Sequence, residues 1–558
     1  VLQNFLKYFN LQTLSKIIIL SVSLTRMNRK HLLPTLAILF ASLPTLKSAA
    51  QGAGNLSGDL MLNANFFQRD TSIKASDNQL YDNYLSGGEA WMALRYSNYG
   101  FNGFLRVDVF NNSNLKNPSQ AYSGFGIGAW NISKDFNGLT MTAGYIYDQI
   151  GSGVIFRSYE DRGLLIDNAI EGVHLKYRIN DNIFIKAFTG QQKNLFNRYN
   201  PIIKGFNAEG NYGLSENVYI TPGIGLVNRT IDKEGMDAIV NNINSLPESK
   251  RFVPVYNNYA FTFYNTLSAG DFTWYLEGAY KTKEAIGDYN GNLVDKDGNV
   301  VYSTLSYARK GIALTVSGKR TENFVMRTSP NQSLLDGMVN WQPTIAQIRP
   351  QRLIARYSPP SQDLSEMAFN ANLMITPNEN YDFNLSYTHI NTLEDLKLYR
   401  EIYAEANIRS VTNTYIDLGL HYMQYNQDYY QFKPGVPMVE AITPFAEITY
   451  KINRNQSLKL QAQYMDTKQD FGSWVYVGLE YAIAPKWSFA LSDMYNIKPV
   501  NTDETKKHYY NAFIAYTQGA HRFSIAYVKQ VEGINCTGGV CRYEPAFSGL
   551  KLGITSSF

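Results

Sequence analysis

From Leu56 to the final residue the chain repeats one pattern, segments of about ten residues that alternate in polarity and are separated by turns. In SLKLQAQYM, Leu458, Leu460, Ala462 and Tyr464 fall on one face, and Lys459, Gln461 and Gln463 on the other. VYVGLEYAI sets Val475, Val477, Leu479, Tyr481 and Ile483 against Tyr476 and Glu480. EGVHLKYRI sets Val173, Leu175, Tyr177 and Ile179 against His174, Lys176 and Arg178, and YIDLGLHY sets Ile416, Leu418, Leu420 and Tyr422 against Asp417 and His421. Successive side chains of a strand point to opposite faces, so a period of two with one apolar face means half-buried strands.

A soluble β-sandwich would alternate too, but three features favour a membrane. An export signal precedes the pattern. The strands are long and edged by Tyr, Trp and Phe, as interfacial girdles require. The connections also alternate in length. Residues 178–182, 268–272, 375–380, 451–456, 483–487 and 517–522 read as tight turns, whereas 424–438 and 498–507 read as longer polar loops. Short turns at one end and long loops at the other describe an outer-membrane barrel, and unpaired backbone in lipid forces the sheet to close. The expected fold is therefore all-β, a transmembrane antiparallel barrel of about 24 strands, even in number. Residues 231–257 and 328–363 stand out as long connections, the second with a short helix expected around Leu334–Val339. Such segments lid a barrel or fold into it.

Composition bounds the alternatives. No run of about 20 apolar residues lies beyond the N-terminus, so no helical membrane span is expected in the body. The net charge of +4, with no basic stripe, gives no reason to expect a nucleic-acid partner. Met27–His31 forms a basic n-region and Leu32–Leu46 an apolar h-region, and Ser48–Gln51 offers a cleavage site. Residues 1–50 are thus expected to be an upstream extension and signal peptide, with Gln51 beginning one barrel domain, 51–558. No Cys stands near that site to carry a lipid. The two cysteines, Cys536 and Cys541, are expected to pair as a loop staple in an oxidising compartment. Zinc would need more ligands than that segment has.

One segment, FRSYEDRGLLIDNAIEG (156–172), concentrates charge between two strands. Arg157, Glu160, Asp161, Arg162 and Asp167 read as a pore constriction or as a salt-bridged brace of the barrel mouth. A charged constriction would select solutes as rings of charged side chains do. Glu171 differs by an odd step from His174, which puts it off the lumen row. His174, Lys176, Arg178, Glu277, Asp417, Lys459 and Glu480, with Lys551, read as lumen-facing. His31 lies in the signal, and His174, His389, His421, His508 and His521 are scattered with no nucleophile elbow beside them. No catalytic residue, cofactor or metal site is expected. DYNGNLVDKDGNVV (288–301) resembles a calcium loop without its closing Glu, and its Asp-Gly reads as a hairpin turn.

The terminal SGLKLGITSSF places Leu550, Leu552, Ile554 and Phe558 on one face. A last strand alternating toward a C-terminal Phe looks like a barrel-assembly signal, with Phe558 as its key residue. Residues 144–177, 450–496 and CTGGVCRYEPAFSGLKLGITSSF resemble an uncharacterised family of Bacteroidota outer-membrane β-barrel proteins. That resemblance implies a Gram-negative outer membrane and a barrel, and no particular activity. The expected partners are outer-membrane lipid, the assembly machinery during biogenesis and an envelope protein. An unplugged barrel of this size would leak, since 16–18 strands already leave an aqueous channel. Something must narrow it: the 150–167 loop, the long connections or a partner. The reading is a porin-like channel or transport pore narrowed by inward-folded loops. Its alternative is a structural or scaffold subunit of an outer-membrane complex with a filled lumen.

Overall fold

The structure is a computed structural model describing residues 54–288, 291–333, 335–500, 506–537 and 540–558. The signal segment and Gln51 lie outside the described residues. Each long strand pairs antiparallel with its neighbours in chain order, from Asn55–Phe67 to Phe547–Ser557. The last strand pairs back on the first, Asp59 opposite Ser557 and Phe67 opposite Gly549. The result is a closed antiparallel barrel of 24 strands. A short strand, Tyr212–Ser215, only extends the edge beside Val218–Thr230. Closure leaves no unpaired edge in lipid.

The six segments expected to be tight turns all fall at one end of the barrel, and every long connection falls at the other. Outer-membrane barrels turn their long loops outward. Among the described residues no helix is long and apolar enough to cross a membrane. Large apolar side chains instead stand exposed around the outside, Leu491 at 59%, Phe263 at 57% and Met367 at 54%. Such a belt is stable only against hydrocarbon.

The inward rows behave differently along their length. On the strand Val439–Asn453, Val439, Ala441, Thr443 and Phe445 are buried, Glu447 is half-buried and Lys451 is exposed. The lumen is therefore filled towards the long connections and open towards the short turns. The filling comes from two connections, residues 147–169 and 323–365. Val154, Ile155 and Phe156 of the first join Phe324, Met326 and Val339 of the second against wall residues Phe188, Ile203, Val227 and Ala260. Leu353 and Tyr357 of the second continue the core onto the opposite wall with Tyr399, Met423, Tyr425 and Trp474.

Two local expectations need correction. Residues 335–338 form a turn and a bridge to Arg327, not a helix, and Leu334 lies outside the described residues. Gly337 sits at φ +65°, a left-handed conformation that interrupts helix. The helix of the long connections is Lys233–Asn244, N-capped by Asp232. The second correction concerns Asp297–Gly298, which lies within the strand Leu293–Arg309. The hairpin turns seven residues earlier, where the N–H of Gly291, at φ +79°, donates to the Asp288 carbonyl (3.0 Å). Two turn signals competed, and Gly298 instead lies beside the bulge between Lys281 and Glu284. Cys536 and Cys541 are disulfide-bonded across a small hairpin. Val540 of that hairpin packs on Leu164, Ile166 and Met338, capping the inserted segments.

Candidate functional site

The inserted segment 147–169 is built from two miniature hairpins, Gln149–Ile150 with Phe156–Arg157 and Glu160–Asp161 with Ile166–Asp167. GSG at 151–153 makes the first turn, with Gly151 at φ +56° and Gly153 at φ +103°. A Cβ on Gly151 would lie 2.5 Å from the Glu277 carboxylate, so only glycine lets the loop approach the wall this closely. There the carboxylate of Glu277, fully buried on the wall, accepts the Ser152 N–H (3.0 Å), the Thr262 hydroxyl (2.9 Å) and the Tyr275 hydroxyl (2.6 Å).

The charged residues of this segment are nearly all engaged. Arg106, 2% exposed on the wall, grips Asp108 through two hydrogen bonds (2.7 and 2.9 Å) and reaches Glu160 (2.8 Å) and Asp167 (2.6 Å). Lys193 pairs with Asp167, and the Tyr147 hydroxyl donates to it (2.8 Å). Burial pushes the Asp167 carboxyl up, but Lys193 and Arg106 outweigh it and hold it below the usual carboxylate range. Arg162 donates to Glu160 (2.7 Å) and lies over Trp91. Asp161 accepts the Leu164 N–H (3.1 Å) and shapes its own turn. Arg157 lies 4.4 Å from the Trp341 ring and 4.7 Å from the Tyr159 ring. A cavity of about 90 Å3 remains among Arg106, Lys193, Gln192 and Asp336.

The two inserted segments are joined to each other as well as to the wall. The Arg157 N–H donates to the Val339 carbonyl and the Trp341 N–H to the Gly153 carbonyl, each at 3.0 Å. Asn168 is the linchpin. Its side-chain oxygen accepts the Tyr159 N–H (2.6 Å), and its amide donates to Arg157 (3.1 Å) and Met338 (3.0 Å) carbonyls. On the far wall, buried Glu401 accepts from Arg349 (2.9 Å) and Tyr399 (2.8 Å), with Arg352 at 3.8 Å and His421 at 3.4 Å. Arg349 also lies 3.8 Å from the Tyr403 ring. Further buried pairs, Arg229–Glu284 (2.6 Å) and Lys319–Glu366 (2.7 Å), ring the same level.

The expected lumen residues split between two environments. His174 and Glu277 lie under the inserted segments, where the His174 ring stands 2.9 Å from Asp148. Burial pushes the Asp148 carboxyl up, while the His174 ring and the Lys186 ammonium (2.8 Å) hold it well below the usual range. Lys176, Arg178 and Glu480 are exposed near the short turns, and Asp417 and Lys459 are half-buried at the same end of the lumen. Lys551, also on an inward row, pairs across the sheet with Asn65 and Ala526. Glu171 is on the outer row, where it accepts from Trp130 (3.2 Å). The Phe558 N–H donates to the Gly58 carbonyl (3.0 Å), and its own carbonyl accepts the Gly58 N–H (2.9 Å). Residues that the sequence reading did not single out, Arg106, Asp108, Lys193, Arg349, Arg352 and Glu401, anchor the inserts. For FLRVDVF the signal was available: Arg106 and Asp108 alternate with Leu105, Val107 and Val109. Among the described residues no group of three or more His, Cys, Asp or Glu side chains could hold a metal ion.

A family profile, "Family of unknown function (DUF6029)", matches residues 27–558. The chain belongs to DUF6029. No curated protein matches it. Among solved structures, the P pilus usher PapC translocation pore is 10% identical, covering 90% of this chain and 99% of that one, with a TM-score of 0.44. The siderophore receptor PirA from Pseudomonas aeruginosa is 8% identical over 91% and 80%, with a TM-score of 0.42. OccK8 (OprE) from Pseudomonas aeruginosa is 9% identical over 91% and 98%, with a TM-score of 0.36. These are likenesses to other large barrels. For this DUF6029 member the fold rests on its own strand pairing.

Proposed function

We propose that this DUF6029 chain is an outer-membrane transport pore of a Gram-negative bacterium, narrowed from within by its own connections. The observation that carries the reading is the unequal filling of one lumen. Residues 147–169 and 323–365 occupy it towards the long loops, while polar side chains line it towards the short turns. There the Thr304 and Ser317 hydroxyls lie 3.0 Å apart, and Asn372 donates to Asn384 (2.9 Å). Neutral hydroxyl and amide groups facing an open lumen are what a water-filled vestibule needs. Outer-membrane lipid would cover the apolar belt, and Phe558 would serve the assembly machinery. The Bacteroidota origin implied by the resemblance belongs to the same proposal.

A second reading, a scaffold subunit with an envelope-protein partner, is favoured by one observation. The two buried clusters of the inserts are anchored on opposite walls. Planar-bilayer recording of the folded, full chain separates the two. The pore reading expects small, reproducible conductance steps. Silent bilayers from barrels that still show heat-modifiable migration would sink it and leave the scaffold.

A further inference from the structure

The charges that remain open to the lumen are not those of the inserts. Apart from Arg522 on His521–Gln530, they lie near the short turns on two opposed walls. Lys176 and Arg178 stand on Ile170–Arg178, and Lys186 on the adjoining Ile183–Asn194. Glu405 stands on Lys397–Ile408, Asp417 on Thr414–Tyr425, Glu447 on Val439–Asn453 and Glu480 on Ser473–Ile483. In the ring these are strands six and seven against strands sixteen to twenty of 24, so their midpoints lie about half a ring apart.

The acidic wall is continuous across register. Asp417 faces Glu447, and Glu480 faces Lys459. Lys459 alone pairs within it, 2.7 Å from Glu447. At its rim the Lys451 ammonium bonds the Tyr415 hydroxyl (2.8 Å), and Arg409 is taken by Asp382 (2.5 Å). On the opposite wall Lys186 is held by Asp148 (2.8 Å), and Asp135 and Glu209 stand on nearby strands. Lys176 has no ion-pair partner among the described residues, and neither does Glu480. Between the walls runs the neutral ladder of Thr304, Ser306, Thr315, Ser317 and Asn372.

We infer that the ion preference of the pore is set by these two vestibule walls, and that it favours cations. The inference rests on the pore reading above. Ion-paired charges under the inserts cancel over short distances. Unpaired wall charges act across water over about a Debye length, roughly 8 Å at physiological salt. Four carboxylates against Lys459 and the rim Lys451, whose bond to a neutral hydroxyl leaves its charge in place, still make the acidic side the stronger, and like rings of Asp and Glu in other cation pathways it enriches cations beside it. Anions are drawn to the Lys176 side. Small hydrophilic cations, and the cationic ends of dipolar solutes, pass along the Asp417–Glu447–Glu480 wall.

The test is the reversal potential of the full chain in bilayers across a potassium chloride gradient. The intact protein is expected to show the sign of cation preference. Asp417→Asn with Glu480→Gln is expected to move the reversal potential towards zero or through it. Lys176→Gln is expected to move it the other way. Heat-modifiable migration of each variant establishes that it has folded. If conductance is present and the wall variants leave the reversal potential unmoved, or if Glu160→Gln moves it while they do not, this inference is overturned and the pore reading stands. If no chain conducts, both fall.

Discussion

Asp167 and Asp417 are both carboxylates turned into the same lumen, yet their surroundings differ. Asp167 is gripped by Arg106, Lys193 and the Tyr147 hydroxyl under an inserted segment. Asp417 is half-buried on the wall near a short turn, opposite Glu447 and near Lys459. The first region uses charge to fix shape. A paired, desolvated ion contributes little field to a passing solute, but removing its partner strands it in a medium that cannot solvate it. The second region leaves charge in contact with water, where it adds little to stability and much to the local potential.

The most forceful way to break this comparison is to remove one ion from each region. Glu401→Ala strands Arg349 and Arg352 inside the barrel, and loss of about 3–5 kcal/mol is expected. Glu480→Gln on the open wall is expected to stay within about 0.5 kcal/mol of the parent. Urea unfolding of both variants in lipid vesicles reads the difference. Equal losses would show that the two regions do not differ as described.

A smaller effect is expected at the junction of the inserts. Asn168→Ala removes three hydrogen bonds that tie 147–169 to itself and to Met338, at about 1–3 kcal/mol for the buried groups left unpaired. The barrel should remain assembled while trypsin cleaves faster at Arg157 and Arg162. Unchanged cleavage would mean that the apolar cluster around Phe156 holds the segment without the polar links.

The smallest effect is that of changing pH near neutrality, where the anchoring by Asp148 is expected to stay constant. Its carboxyl is held low by His174 and Lys186, below the ordinary value of about 3.9. A depressed folded-state value adds stability above the unfolded value and loses it as pH falls through the folded one. Asp148 therefore contributes a constant anchoring term from pH 8 to about 5, lost only in strong acid. Pepsin accessibility of 147–169, compared between the parent and Asp148→Asn as pH is lowered, checks this. The parent should approach the variant only at the acid end.

Much of this protein was legible in its sequence because period-two alternation is a local property. Inward placement of Lys176, Asp417 and Glu480 follows from apolar neighbours at odd steps, and each tight turn follows from a short polar interruption. The same reasoning set Glu171 off the lumen row, and the structure finds it on the outer row. The Asp-Gly at 297–298 misled because turn preference is also local, and a stronger signal seven residues away took the turn.

What sequence alone determined was the all-β barrel, its approximate strand number and which side of each strand faces inward. Backbone pairing in lipid and alternation leave few other solutions. What only the tertiary structure decided was the fate of the charged segment 156–172. Its partners, Arg106, Lys193 and Met338, lie far away in sequence, and no local pattern links them. Whether a carboxylate such as Glu160 meets water or a buried guanidinium depends on which connection folds inward and onto which wall. That depends on packing across the whole lumen.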